Sequence, residues 1–191
     1  MSLCYHEVMQ IFEYSADHSE LGTWWDTLPI PAFIENLLKY FPLPPHLPVA
    51  EAGPRRETVL PRLASRETLL IDRDAANIDA INTLFPHVKP LVRDFKDLPD
   101  SNGPLSSGSL AMLVWNKQLL FYLYEYARFD GTDPEKECFL TLVKLLSLLA
   151  PGGIFVEIMP VSGFAGKQID YLEKAIRKLS QSGKLHCIRT A

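Results

Sequence analysis

The order of residue types predicts an α/β protein, with a mostly parallel sheet and helices on both faces. Three observations carry that reading. Apolar runs of strand length alternate with longer segments of helical period, the pattern of strands linked by helical crossovers. Several of those runs stop abruptly at an acid or an asparagine. The composition, 47% apolar and 22% charged over 191 residues, is that of an ordinary globular domain with enough chain for one sizeable core.

Composition also excludes several classes. No window of about 18 apolar residues exists, so no membrane-spanning helix is expected. The first ten residues are neither a basic leader nor a signal sequence. A net charge of −4 does not suit a general nucleic-acid binder. Cys4, Cys138 and Cys187 are an odd, scattered set, which suits reduced thiols in a cytoplasmic protein. Cys4-Tyr-His6 and His186-Cys187 lack a four-ligand zinc spacing, so no metal is expected.

The elements follow in chain order. Phe33, Leu37 and Tyr40 lie near helical spacing within Ala32–Tyr40. Phe41–Pro48 then carries four prolines in eight residues, which forbids a regular helix. This stretch divides an amino-terminal helical cap, residues 1–48, from a main α/β domain, residues 49–191. Val49–Ala52 is a short apolar strand ending at Gly53. Thr58–Ala64 forms a short helix if Pro61 sits in its first turn. Thr68–Ile71 is a strand that stops at Asp72, and Ile78, Ile81 and Phe85 share one face of a helix over Ala75–Phe85. Val88–Val92 is a strand before Asp94. Pro99–Ser109 is a loop, and Leu110–Trp115 is a strand ending at Asn116.

Asp133 and Pro134 open the clearest helix, with Glu135 and Glu137 at the positive end of its dipole. Phe139, Leu142, Val143, Leu146 and Leu149 form its stripe, and Pro151-Gly152-Gly153 stop it. Ile154–Met159 reads as a buried strand. A helix over about Lys167–Ser182 and a last strand over Lys184–Arg189 close the chain.

Open parallel sheets bind ligands outside the carboxyl ends of their strands. The residues to inspect are therefore Glu51, Gly53, Asp72, Asp94, Phe95, Trp115, Asn116 and Met159. Asp72 lies 21 residues after Glu51, about the spacing at which a second-strand acid meets a ribose. Asp72 also suits a cap for the helix from Ala75, and Asp94 suits a turn cap.

These segments resemble, in order, the class I S-adenosylmethionine-dependent methyltransferases from about Trp24 to Met159. The pieces are Val49-Ala-Glu51-Ala-Gly53, Leu70-Ile-Asp72, Leu91-Val-Arg-Asp94-Phe-Lys-Asp-Leu-Pro99, Leu113-Val-Trp-Asn116 and Leu148-Leu-Ala-Pro-Gly-Gly-Ile-Phe-Val-Glu157. The resemblance implies a Rossmann-like methyltransferase sheet and S-adenosylmethionine as cofactor. By it, Glu51 is the acid of the first strand and Gly53 opens the cofactor loop. Asp72 binds the ribose hydroxyls, Asp94 and Phe95 form the adenine turn, and Asn116 lies near the reacting end. Trp24 and Trp25 fall on a segment that covers the site. No catalytic residue is implied.

Two departures from the family pattern bear on activity. The later loop glycines are replaced by Arg55 and Glu57, with Pro54 between Gly53 and Arg55. The family ends with two further strands, one antiparallel, whereas about 30 residues follow Met159. The shortened sheet would expose an edge for a protein partner or a second copy to cover. Two functions remain open: a methyltransferase of unknown acceptor, or a catalytically inactive relative acting as a subunit or scaffold. A third is another nucleotide-like ligand, its phosphate met by Arg55 or Arg56. The aromatic run Phe121, Tyr122, Tyr124 and Tyr126 reads as helix packing, with an interface as the alternative.

Overall fold

A computed structural model describes residues 7–12, 30–54, 58, 60–63, 66–116, 127, 130–158, 174, 175, 177–179, 181 and 185–190. The strands are β1 (Glu7–Phe12), β2 (Val49–Ala52), β3 (Thr68–Asp72), β4 (Lys89–Val92), β5 (Leu110–Asn116), β6 (Leu149–Ile158) and β7 (Leu185–Thr190). The helices are α1 (Ile30–Tyr40), α2 (Leu60–Leu63), α3 (Ala75–Leu84) and α4 (Pro134–Ser147), with a 3-10 turn at Phe95–Asp97. Residues 174, 175, 177–179 and 181 are also helical. The seven strands form one sheet in the order β4-β3-β2-β5-β6-β1-β7, and every pair is parallel.

The strand period of two distributes side chains between two layers. Ala50, Ala52, Leu113, Trp115 and Phe155 pack with Cys138, Leu142, Leu145 and Leu146 of α4. Their neighbours Val49, Met112, Val114, Ile154 and Val156 point the other way, onto Ile34 and Leu37 of α1 and onto Leu60. The central strands are therefore covered on both faces, as a parallel sheet requires. Leu70 packs with Ile78 and Ile81 of α3. Pro90 lies in β4, an edge strand, where a missing backbone donor breaks no ladder.

Local sequence explains most boundaries. Asp133 caps α4, its carboxylate accepting from Glu135 N at 2.9 Å. Asp74 caps α3 in the same way through Ala76 N. The proline-rich connector packs Leu43 into the core beside α1, and Arg66 donates to its Pro44 carbonyl at 2.9 Å. The end of α4 corrects the sequence expectation. The helix stops at Ser147, before Pro151, and β6 begins at Leu149 with a register shift opposite Leu110 and Met112. Gly153 is required there: an added Cβ would lie 2.9 Å from the Ala150 carbonyl oxygen.

On the sheet's far side β6 is paired within the chain by β1, in register Val8 with Ile154 through Ile11 with Glu157. β7 then adds outside β1. The sequence reading assigned no strand near residue 10, because isolated Glu7–Phe12 is short and its partners lie about 145 residues away.

Candidate functional site

The chain runs outward through β2, β3 and β4, then returns to β5 on the other side of β2. That switch point between β2 and β5 is where an α/β sheet opens a crevice. A cavity of about 40 Å³ lies there, lined in part by Gly53, Asp72, Arg93, Phe95 and Trp115. Three of the six expected residues, Gly53, Asp72 and Phe95, are thus brought to one hollow.

Gly53 leaves β2 with φ at +64°, a conformation that disfavours a side chain, and its N–H donates to the Ile71 carbonyl at 2.9 Å. The turn therefore folds back against β3. Asp72 ends β3 half-buried. One oxygen accepts from Asp74 N at 2.9 Å, and the other from Asn77 Nδ2 at 2.6 Å. The Asn77 amide also donates to the Pro54 carbonyl at 2.6 Å, so one side chain ties the loop after β2 to the acid of β3. A carboxylate has about four acceptor positions, so Asp72 keeps capacity for a further donor.

Phe95 is buried at the start of the 3-10 turn, its ring edge-on to Trp115 at 5.6 Å and 80°. Asp94 caps that turn by accepting from Lys96 N at 3.0 Å, and it does not line the cavity. Arg93, at the cavity wall, pairs with Asp100 at 3.5 Å. Glu51 does not face the cavity. It is fully buried on the opposite layer of the sheet, where its Oε2 accepts from Leu60 N at 2.9 Å. Its observed contact fixes the start of α2. Asn116 ends β5 opposite Ile158. Trp24, Trp25, Arg55, Arg56, Glu57, Phe121, Tyr122, Tyr124 and Tyr126 lie outside the described residues.

Sequence reasoning missed Asn77 and Glu157. Asn77 carries no periodic signal, because its role depends on two segments meeting. Glu157 had a signal, an acid inside an apolar strand. It is 1% exposed, and neither of its carboxyl oxygens has a hydrogen-bond partner. Burial holds its carboxyl well above the usual carboxylate range. Burial, with the nearby Glu157 and Glu135 charges, pushes the Cys138 thiol up to about 12. Among the described residues, no group of three His, Cys, Asp or Glu side chains is placed to hold a metal ion. No described helix is long and apolar enough to cross a membrane.

The architecture is that of a class I S-adenosylmethionine-dependent methyltransferase fold, an α/β sheet whose first five strands in spatial order, β4-β3-β2-β5-β6, are all parallel. Solved structures resemble it. A citrinin polyketide synthase CMeT domain aligns with a TM-score of 0.51 at 18% identity, over 81% of this chain and 38% of that one. A TehB-like SAM-dependent methyltransferase from Corynebacterium glutamicum aligns with a TM-score of 0.45 at 15% identity, over 82% and 80%. The chain thus spans well under half the length of the first of these. No protein-family model matches it, and no curated protein does.

S-adenosylmethionine can be tested against the residues present. The Asp72 carboxylate is an acceptor for a ribose diol, and Phe95 offers an aromatic wall. The chemistry of the adenosyl end fits. The cavity's volume matches a few water molecules rather than a nucleoside.

Proposed function

We propose that this chain is a methyltransferase-like protein that binds the adenosyl part of S-adenosylmethionine at the carboxyl ends of β2 and β3. The convergence of Gly53, Asp72 and Phe95 on one hollow at the switch point supports this reading. Asp72 would accept from the ribose hydroxyls. Asn77 would hold its carboxylate in place, leaving less freedom to lose on binding. Phe95 would wall the adenine, and Gly53 would let the backbone approach. Asp94 would act through the turn that it caps. When bound, S-adenosylmethionine supplies an activated methyl group for transfer to a nucleophile; this chain's contribution would be proximity and orientation. The acceptor is left open.

A second reading has its own support. Asn77 already occupies one Asp72 oxygen, and the hollow beside it holds only about 40 Å³. These features favour a catalytically inactive relative acting as a subunit or interaction scaffold, and fold alone never establishes activity.

Calorimetric titration with S-adenosylmethionine, and separately with S-adenosylhomocysteine, divides the two. The first reading expects micromolar binding that Asp72→Ala weakens about tenfold, the loss of a hydrogen bond to a charged group. No heat and no thermal shift at millimolar ligand would leave the scaffold reading standing.

A further inference from the structure

A second cavity lies between the 3-10 turn and α4. Its volume is about 290 Å³, against about 40 Å³ for the hollow at the switch point. Phe95 of the turn and Leu140, Thr141 and Val143 of α4 line it in part. Large apolar side chains are mostly buried in this chain. Leu140 is 43% exposed and Val143 38%, two of the five that are well exposed among the described residues. An open cavity walled by such side chains is a place for an apolar body. Roughly 150 Å³ of apolar space suffices for a benzene ring, so this cavity has room for a ring and a short polar group.

The charges on its wall restrict the polar group. Lys96, Lys144 and Glu137 all line the cavity. Lys96 Nζ already pairs with Asp130 at 2.9 Å. Lys144 Nζ donates to the Lys96 carbonyl at 2.8 Å, which fixes the ammonium and leaves it two further donors. Among the described residues no carboxylate pairs with Lys144. Glu137 lies in the first turn of α4, where the helix dipole already favours its charge. It stands roughly 10 Å along the helix axis from Lys144. A cationic ligand would meet Lys144 as a like charge, and a neutral one would leave that ammonium to water. A carboxylate supplies the missing partner at a cation that is already held in place, which lowers the cost of ordering it. Glu137 opposes a second negative group at the far end.

We infer that the cavity between the 3-10 turn and α4 is a binding site for a small aromatic monocarboxylate, its carboxylate on Lys144 and its ring against Phe95, Leu140 and Val143. This assignment goes beyond the adenosyl site and does not depend on it, although Phe95 lines both cavities.

The test follows the methyl resonances of the full chain with ¹³C-labelled leucine and valine methyl groups. The Leu140 and Val143 signals are those missing from Leu140→Met and Val143→Ile. Phenylacetate should shift both saturably at millimolar concentration. The neutral 2-phenylethanol and the cationic 2-phenylethylammonium should bind roughly fivefold more weakly, the worth of a good exposed ion pair. Lys144→Met should abolish the preference for phenylacetate, and Lys144→Arg, which keeps the charge, should retain it. Lys144 is exposed, so neither variant disturbs the core. Unmoved Leu140 and Val143 signals would overturn the inference. So would an equal or stronger response to either analogue, an unchanged preference in Lys144→Met, or its loss in Lys144→Arg. Binding of S-adenosylmethionine is read separately by calorimetry, so either result can fail alone.

Discussion

Glu51 and Glu157 are the same residue type at nearly the same depth, on central strands of one sheet. Glu51 is 0% exposed and Glu157 1%. Glu51 points to the layer of α1 and α2, where the Leu60 backbone N–H meets it at 2.9 Å. Glu157 points to the layer of α4, where neither oxygen is met. On the first side the sequence supplies a helix start with an orphan donor, and the acid completes it. On the second, the covering helix offers Cys138 and leucines. Depth alone therefore says little about an acid's effect on stability; the partner decides its sign.

The comparison breaks first at Glu51. Glu51→Ala leaves a buried N–H unpaired and should cost on the order of 3 kcal/mol in a urea-unfolding measurement. A loss under about 1 kcal/mol would mean that the Leu60 amide finds another acceptor. Glu157→Leu should act in the opposite direction, adding about 2 kcal/mol at pH 7 by removing an unmet polar group. If both variants destabilise equally, the contrast between the two acids is wrong.

The pH dependence sharpens the same contrast. Below the ordinary carboxyl value of 4.5, Glu157 is protonated in both folded and unfolded chains. Above it the unfolded chain releases the proton while burial makes the native state keep it. The native state then binds more protons, so stability falls as pH rises, until the raised folded value is reached. Glu157→Leu should flatten that decline. Parallel profiles for wild type and variant would show that the carboxyl ionises normally.

Asn77 joins the cavity's own acid to the neighbouring loop. Asn77→Ala should cost about 1 kcal/mol, the net worth of such hydrogen bonds. It should also raise hydrogen exchange at Gly53 without altering α4. The smallest effect concerns Cys138. With its thiol pushed up to about 12, alkylation mapped to its peptide should track global unfolding rather than thiol ionisation. Rapid labelling of the folded protein at pH 8 would contradict its burial.

Much of the fold was legible because period and punctuation act locally. The Asp133-Pro134 start and Leu142 and Leu146 of the buried face of α4 are visible in a single window of sequence, whereas Val143, read into the same stripe, is exposed and Leu149 falls in β6. β3 was read to within one residue and β5 likewise. The site was legible only in part. Gly53, Asp72 and Phe95 stand out in the sequence because strand ends carry them, and the structure brings them to one cavity. Glu51 stands at such an end too, yet alternation along β2 turns it to the other layer.

The sequence alone therefore determined the alternation of strands and helices, the caps and the residues available at each strand end. These depend on backbone and side-chain chemistry within a few positions. Tertiary structure decided that Glu7–Phe12 pairs with β6 and β7, that Asn77 links Pro54 to Asp72, and that Glu157 faces Trp115 without a donor. Each of these depends on groups far apart in the chain meeting at hydrogen-bond or ladder distance, and no local window contains both.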